Sequence, residues 1–71
     1  MSKIFTPPEF VVKNIRTLRK SRNHKGLSLA ELERLTDVFS SHLCRYEIHG
    51  AVPQKDNYNK LAAFFGWEAW K

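Results

Sequence analysis

The chain has 71 residues, a formal net charge of +5, and is 42% hydrophobic and 13% aromatic. That is room for one small domain, too apolar for a disordered tail, with no apolar run near the ~20 residues that span a bilayer. The single cysteine, Cys44, has no partner for an internal disulfide, and the opening MSKIFTPPEF lacks the apolar segment of a secretory signal, so a cytoplasmic protein is expected.

Residues 1–8 read as an N-terminal arm and cap, and residues 9–71 as one domain. The first helix is predicted to open with Thr6 as cap, Pro7 in the first helical position and Glu9 completing a capping box. Val11, Ile15 and Leu18 then recur at helical spacing, and the helix should fade across residues 22–26, where Gly26 ends the pattern. Lys13, Arg16, Arg19, Lys20, Arg22 and Lys25 follow one another with no acid among them. Such a run suits either a polyanionic partner or a plainly solvated helix face.

A second capping box, Ser28 with Glu31, starts the second helix, whose Leu32 and Leu35 should face the core with Leu29 partly so. Thr36 and Asp37 form the turn. The third helix begins at Phe39 or Ser40, buries Leu43 with Tyr46 or Cys44 beside it, and stops at residues 49–50, where Gly50 can turn left-handed. The fourth runs from Lys55 to Phe65 with Tyr58, Leu61, Ala62 and Phe65 on one face. Gly66 ends it, and residues 67–71 read as a stub of one more turn. No stretch alternates as a strand does, so the class is all-α, a compact domain of four or five helices.

Two short capped helices joined by a tight turn are the skeleton of a helix-turn-helix. Around it stand Ile15-Arg16-Thr17-Leu18-Arg19, Gly26-Leu27-Ser28, Leu32, Asp37-Val38-Phe39, Leu43, Glu47, Pro53 and Leu61-Ala62-Ala63-Phe64-Phe65-Gly66. In order and spacing this resembles the Cro/repressor (XRE-like) family of DNA-binding domains, with Asn23-His24-Lys25 as the one inferred insertion. The chain departs from the family at Asp37 (usually glycine), Phe39 (a serine or threonine cap), Glu33 (alanine), Leu29 (glutamine) and Gly50, which comes one residue late.

The resemblance implies a lambda-repressor-like fold in which the third helix enters the major groove of double-stranded DNA. Ser40, Ser41 and Arg45 are then the base-reading side chains. A serine hydroxyl donates or accepts, and arginine grips O6 and N7 of guanine with two bonds. Phosphates are expected at Lys25, His42, His49 and Lys55, and at the backbone N–H groups around Leu29 where the second helix starts. Arg19 is expected to pair with Glu47 as structural support. The implied protein is a bacterial or phage-type transcriptional regulator that works by occupying its operator, without cofactor, metal or catalysis.

Other chemistries fit less well. His42, Cys44 and His49 do not share a helix face at metal-ligand spacing, and Ser41-His42 has neither a nucleophile elbow nor a partner acid. A stronger rival is a protein-interaction module or anti-repressor of the same shape, because Leu29, Phe39 and Ile48 stand where polar DNA contacts belong. Phe64, Trp67 and Trp70 admit two readings. Either Trp67 closes the core and Trp70 is a frayed end, or the three form a two-fold contact in a homodimer assembled at least on DNA. The second is preferred.

Overall fold

Two adjacent prolines decide where the first helix begins. A residue before proline is driven out of the helical region, so Pro7 cannot open the helix ahead of Pro8. In the computed structural model, which describes residues 6–71, Pro8 is extended (φ −58°, ψ 152°) and its carbonyl accepts the N–H groups of Val11 at 3.1 Å and Val12 at 3.3 Å. The cap is therefore Pro8, not Thr6, and α1 spans Glu9–Arg16. Residues 1–5 of the expected arm lie outside the described residues.

The expected long first helix is two. Thr17 (φ −91°, ψ 0°) interrupts it, its hydroxyl donating to the Asn14 carbonyl at 2.7 Å, and α2 covers Leu18–His24. A threonine hydroxyl that competes for backbone in this way disfavours helix continuation. Val11, Ile15 and Leu18 are nevertheless all buried. Beyond α2, Gly26 is left-handed (φ 69°) and Leu27 N–H returns to the Arg22 carbonyl at 3.2 Å.

The second capping box forms as expected and opens α3, Leu29–Thr36. Ser28 Oγ accepts the Glu31 N–H at 3.1 Å, and Glu31 Oε1 accepts the Ser28 N–H at 2.9 Å. The Ser28 N–H, and then its hydroxyl, hold the Glu31 carboxyl below its ordinary range. Leu32 is buried, but Leu35 is 56% exposed, and buried Thr36 takes the place expected of it, donating to the Leu32 carbonyl at 2.7 Å. Leu35 lies about 60° round the helix from Leu32, on the side opposite Leu29 and Thr36. The core is on their side.

Asp37 accepts the left-handed conformation of the turn (φ 62°), Val38 points inward, and α4 follows over Ser40–Ile48 with Leu43 and Tyr46 buried. Gly50 (φ 68°) reverses the chain, Ala51 N–H reaching back to the Arg45 carbonyl at 3.2 Å. α5, Lys55–Phe65, contributes Tyr58, Leu61 and Ala62 to the core. Among the described residues there are only helices and connections, and no helix is long and apolar enough to cross a membrane.

After Gly66 the chain does not form another helical turn; it folds back along α5. Asn59 clamps the backbone of Trp70, Oδ1 accepting its N–H at 2.7 Å and Nδ2 donating to its carbonyl at 2.8 Å. Tyr58 donates its hydroxyl to the Glu68 carbonyl at 2.8 Å and accepts from Asn14 Nδ2 at 3.0 Å. Trp70 is thus neither a frayed end nor an outward contact: it is 6% exposed, edge-on to Tyr58 with centroids 6.1 Å apart. Truncating it to alanine should cost about 3–5 kcal/mol. Urea unfolding of Trp70→Ala will show a lower midpoint at an unchanged slope.

Candidate nucleic-acid interface

A nine-residue helix whose buried side chains are Leu43 and Tyr46 has little apolar surface to fix its direction. Two carboxylates supply what the core does not. Near the end of α4, Arg22 of α2 donates Nε to Glu47 Oε2 at 2.7 Å and Nη2 to Glu47 Oε1 at 2.9 Å, while Nη1 bonds the Leu27 carbonyl at 2.7 Å. The pair is largely shielded, with side chains 13% and 3% exposed, and the bond to Glu47 raises the Arg22 pKa further, keeping it charged. One guanidinium joins α2, the connection into α3, and α4 through a two-pronged contact.

The partner of Glu47 is therefore Arg22, and the expected pairing with Arg19 is corrected. Arg19 is exposed, three residues and about 4.5 Å further up the helix. The offset equals the insertion inferred at residues 23–25. Counting back from Gly26 without that gap arrives at Arg22.

At the other end of α4, Glu33 Oε1 accepts the Ser40 N–H at 2.7 Å. Phe39, in the cap position, has no side-chain acceptor, and Ser40 does not replace it as cap. A glutamate of α3 does the capping instead, and its charge sits where the helix dipole favours an anion. This residue carried no site expectation. Its signal was present only as an acid where packing alanine is usual.

With both ends tied, the outer face of α4 presents Ser41 and Arg45, one above the other at i and i+4, followed by Ile48. Ile48 is 64% exposed. His42 and Arg45 line a shallow cleft with Tyr46, residues 51–54 and Asn57. Phe39 stands at the leading end, 66% exposed, with its ring edge-on to His42 at 5.9 Å. His42 in turn lies 6.5 Å from Tyr46. Ser41 and Arg45 thereby share the outer face of α4, Phe39 and His42 stand on the flank that leads to Tyr46, and Ser40 is half turned in.

The expected phosphate ligands are more dispersed. His49 is exposed at the end of α4. The Lys25 ammonium lies 5.6 Å from the Phe64 ring centroid, and that of Lys55 5.7 Å from the Trp70 ring. Leu29 packs its side chain against the core, and the helix end it occupies already carries the Glu31 carboxylate, so a phosphate there would meet a like charge. Of the expected dimer residues, Trp67 stacks on Tyr58 at 5.9 Å and on Phe65 at 4.9 Å, and Phe64 packs edge-on to Phe65 at 5.0 Å. Trp70, the third of them, packs edge-on to Tyr58 at 6.1 Å.

Comparison with protein-family models, with curated proteins and with solved structures gives no match in any of the three. A functional reading therefore rests on this chain's own residues.

The ion pair makes a sharp test of the site's scaffold. Arg22→Ala leaves the shielded Glu47 carboxylate without its partner and should cost about 3–5 kcal/mol, a large part of the roughly 4–11 kcal/mol available to a chain of this size. Arg19→Ala should stay within about 0.5 kcal/mol of the parent. Thermal melts of the two variants side by side separate the assignments.

Proposed function

We propose that the protein is a sequence-specific, double-stranded DNA-binding transcriptional regulator of repressor type, in which α3, the turn at residues 37–39 and α4 act as a helix-turn-helix. The observation that carries this reading is the exposed Ser41–Arg45 face of α4, on a helix whose opposite side is fastened by Arg22, Glu33, Leu43 and Tyr46. A rigid helix that projects one serine and one arginine from the same face matches what the major groove offers. Arg45 takes O6 and N7 of a guanine with two bonds, and Ser41 donates or accepts at a neighbouring base edge.

Affinity comes from the excess of positive charge, +5 over the chain, through phosphate contacts that release counterions. Lys25, His49 and Lys55 are the ligands we assign, with His42 at the edge of the reading face. The regulator acts by occupying its operator in the lambda-repressor-like manner that its sequence resembles. On a palindromic site two copies place their α4 helices about 34 Å apart.

A second reading has its own support. Leu35, Phe39, Ile48 and Val52 are exposed by 56%, 66%, 64% and 39%, which favours a protein partner.

Selection of bound fragments from random duplexes, followed by titration at several salt concentrations, separates the two. DNA binding predicts a consensus, and an affinity that falls steeply as salt rises. Binding through apolar side chains alone predicts neither. Arg45→Ala should weaken the best site by about 1–3 kcal/mol and relax preference at one base pair. Equal weakening on all sequences would make Arg45 a phosphate ligand instead.

A further inference from the structure

Phe39 is the most exposed of the described large apolar residues, and neither the core nor helix capping accounts for it. It occupies the cap position of α4 without a side-chain acceptor, Glu33 bonds the Ser40 N–H in its stead, and the residue is two-thirds exposed. We infer that Phe39 is a specificity-determining residue, whose ring receives the C5 methyl group of a thymine in the major groove. This rests on the DNA-binding reading above and names one base that the reading leaves open.

Three features converge on that base. The ring sits at the leading end of α4, two residues ahead of Ser41, so a helix entering the groove end-first brings Phe39 towards the base edges ahead of Ser41. A phenyl ring has no donor or acceptor, and the thymine methyl is the apolar group among the major-groove base edges; contact of phenylalanine with it is an established recognition mode. The Glu33 carboxylate, held 2.7 Å from the Ser40 nitrogen, places negative charge at this end. That charge disfavours a phosphate as the immediate neighbour of Phe39.

The ring is also pre-oriented. Phe39 packs edge-on to His42 at 5.9 Å with planes 72° apart, and His42 lies against the buried Tyr46 at 6.5 Å. The row runs along one flank of α4 and ends in the core. A ring so supported gives up little freedom when a methyl group settles against it.

The test uses the duplex obtained by selection, with each thymine replaced in turn by deoxyuridine, which keeps every hydrogen-bonding group and removes only the methyl. Wild-type protein should lose about fourfold in affinity at one position per half-site, the effect of one apolar carbon returned to water. Phe39→Ala should bind thymine and deoxyuridine equally at that position while keeping its preference for the base pair read by Arg45. Its melting temperature, taken alongside, should match the parent because the ring is exposed.

The inference is overturned if Phe39→Ala keeps the wild-type thymine-to-deoxyuridine ratio. It is overturned equally if wild-type protein binds its consensus but is indifferent to every methyl. Failure of wild-type protein to bind any duplex is a different outcome: it removes the DNA-binding reading itself, and this inference with it.

Discussion

The contact between Arg22 and Glu47 is the constraint on which the arrangement of α4 depends. A helix of nine residues is too short to be stable alone in water. Leu43 and Tyr46 give it an inner face, but two side chains allow it to roll or tilt. The guanidinium removes that freedom, because its planar fork satisfies both carboxylate oxygens and the Leu27 carbonyl at once. A shielded ion pair adds little net stability compared with an apolar pair of equal volume. What it supplies here is a fixed angle between α2 and α4, and a large cost for any arrangement that strands either charge.

Glu33 completes the same design at the other end. The two carboxylates lie on opposite ends of α4 and draw on different elements, Glu33 reaching from α3 and Glu47 reaching to α2. Both polar contacts belong to the side and ends of the helix that face the protein, so the outward face keeps Ser41 and Arg45 in water. The C-terminal segment acts elsewhere, on the limited core. A chain of this length buries only about 60% of its unfolded surface, and Trp70, clamped by Asn59, enlarges the apolar interior beyond what the helices provide. Lys25 and Lys55 lie over aromatic rings of this end, an arrangement that stations ammonium groups at the surface.

What could be read along the chain was whatever is decided within a few residues. The Ser28–Glu31 box, the start and end of α5, the left-handed Asp37, and the reversals at Gly26, Gly50 and Gly66 are local, and the structure has them where spacing and residue type indicate. The extended Pro7-Pro8 pair was also local, since proline constrains its predecessor, but the Thr6 box competed for the same residues. Contacts across the chain were not legible. Leu35 and Thr36 flank Leu32, and only the position of the core decides which is buried. The cap of α4 comes from a residue seven positions away, and the partner of Glu47 from one twenty-five positions away. Arg19 and Arg22 share one basic run one helical turn apart, and nothing local distinguishes which of the two meets Glu47. Asn59 and Trp70 meet through an irregular segment that carries no periodicity at all.

The outer surface of α4 mixes two kinds of chemistry, and magnitude shows which term can decide between partners. Burying Phe39 or Ile48 fully yields about 1.5–3 kcal/mol each, and a two-bond contact from Arg45 to guanine about 1–3 kcal/mol. These are equal within their spread, so the energy of single contacts does not separate the two partners; the Ser41–Arg45 pair points to DNA by the kind of group it presents. The deciding term is the one that acts off this helix. Six to ten phosphate contacts make affinity change by about 10³–10⁵ between low and moderate salt, far more than any single side chain of α4 contributes. The candidates for such contacts are the cations between residues 13 and 25 other than Arg22, which Glu47 holds, with His49 just after α4 and Lys55 at the start of α5. What α4 can hold is thus set less by what it displays than by whether the charges around it converge on the same partner.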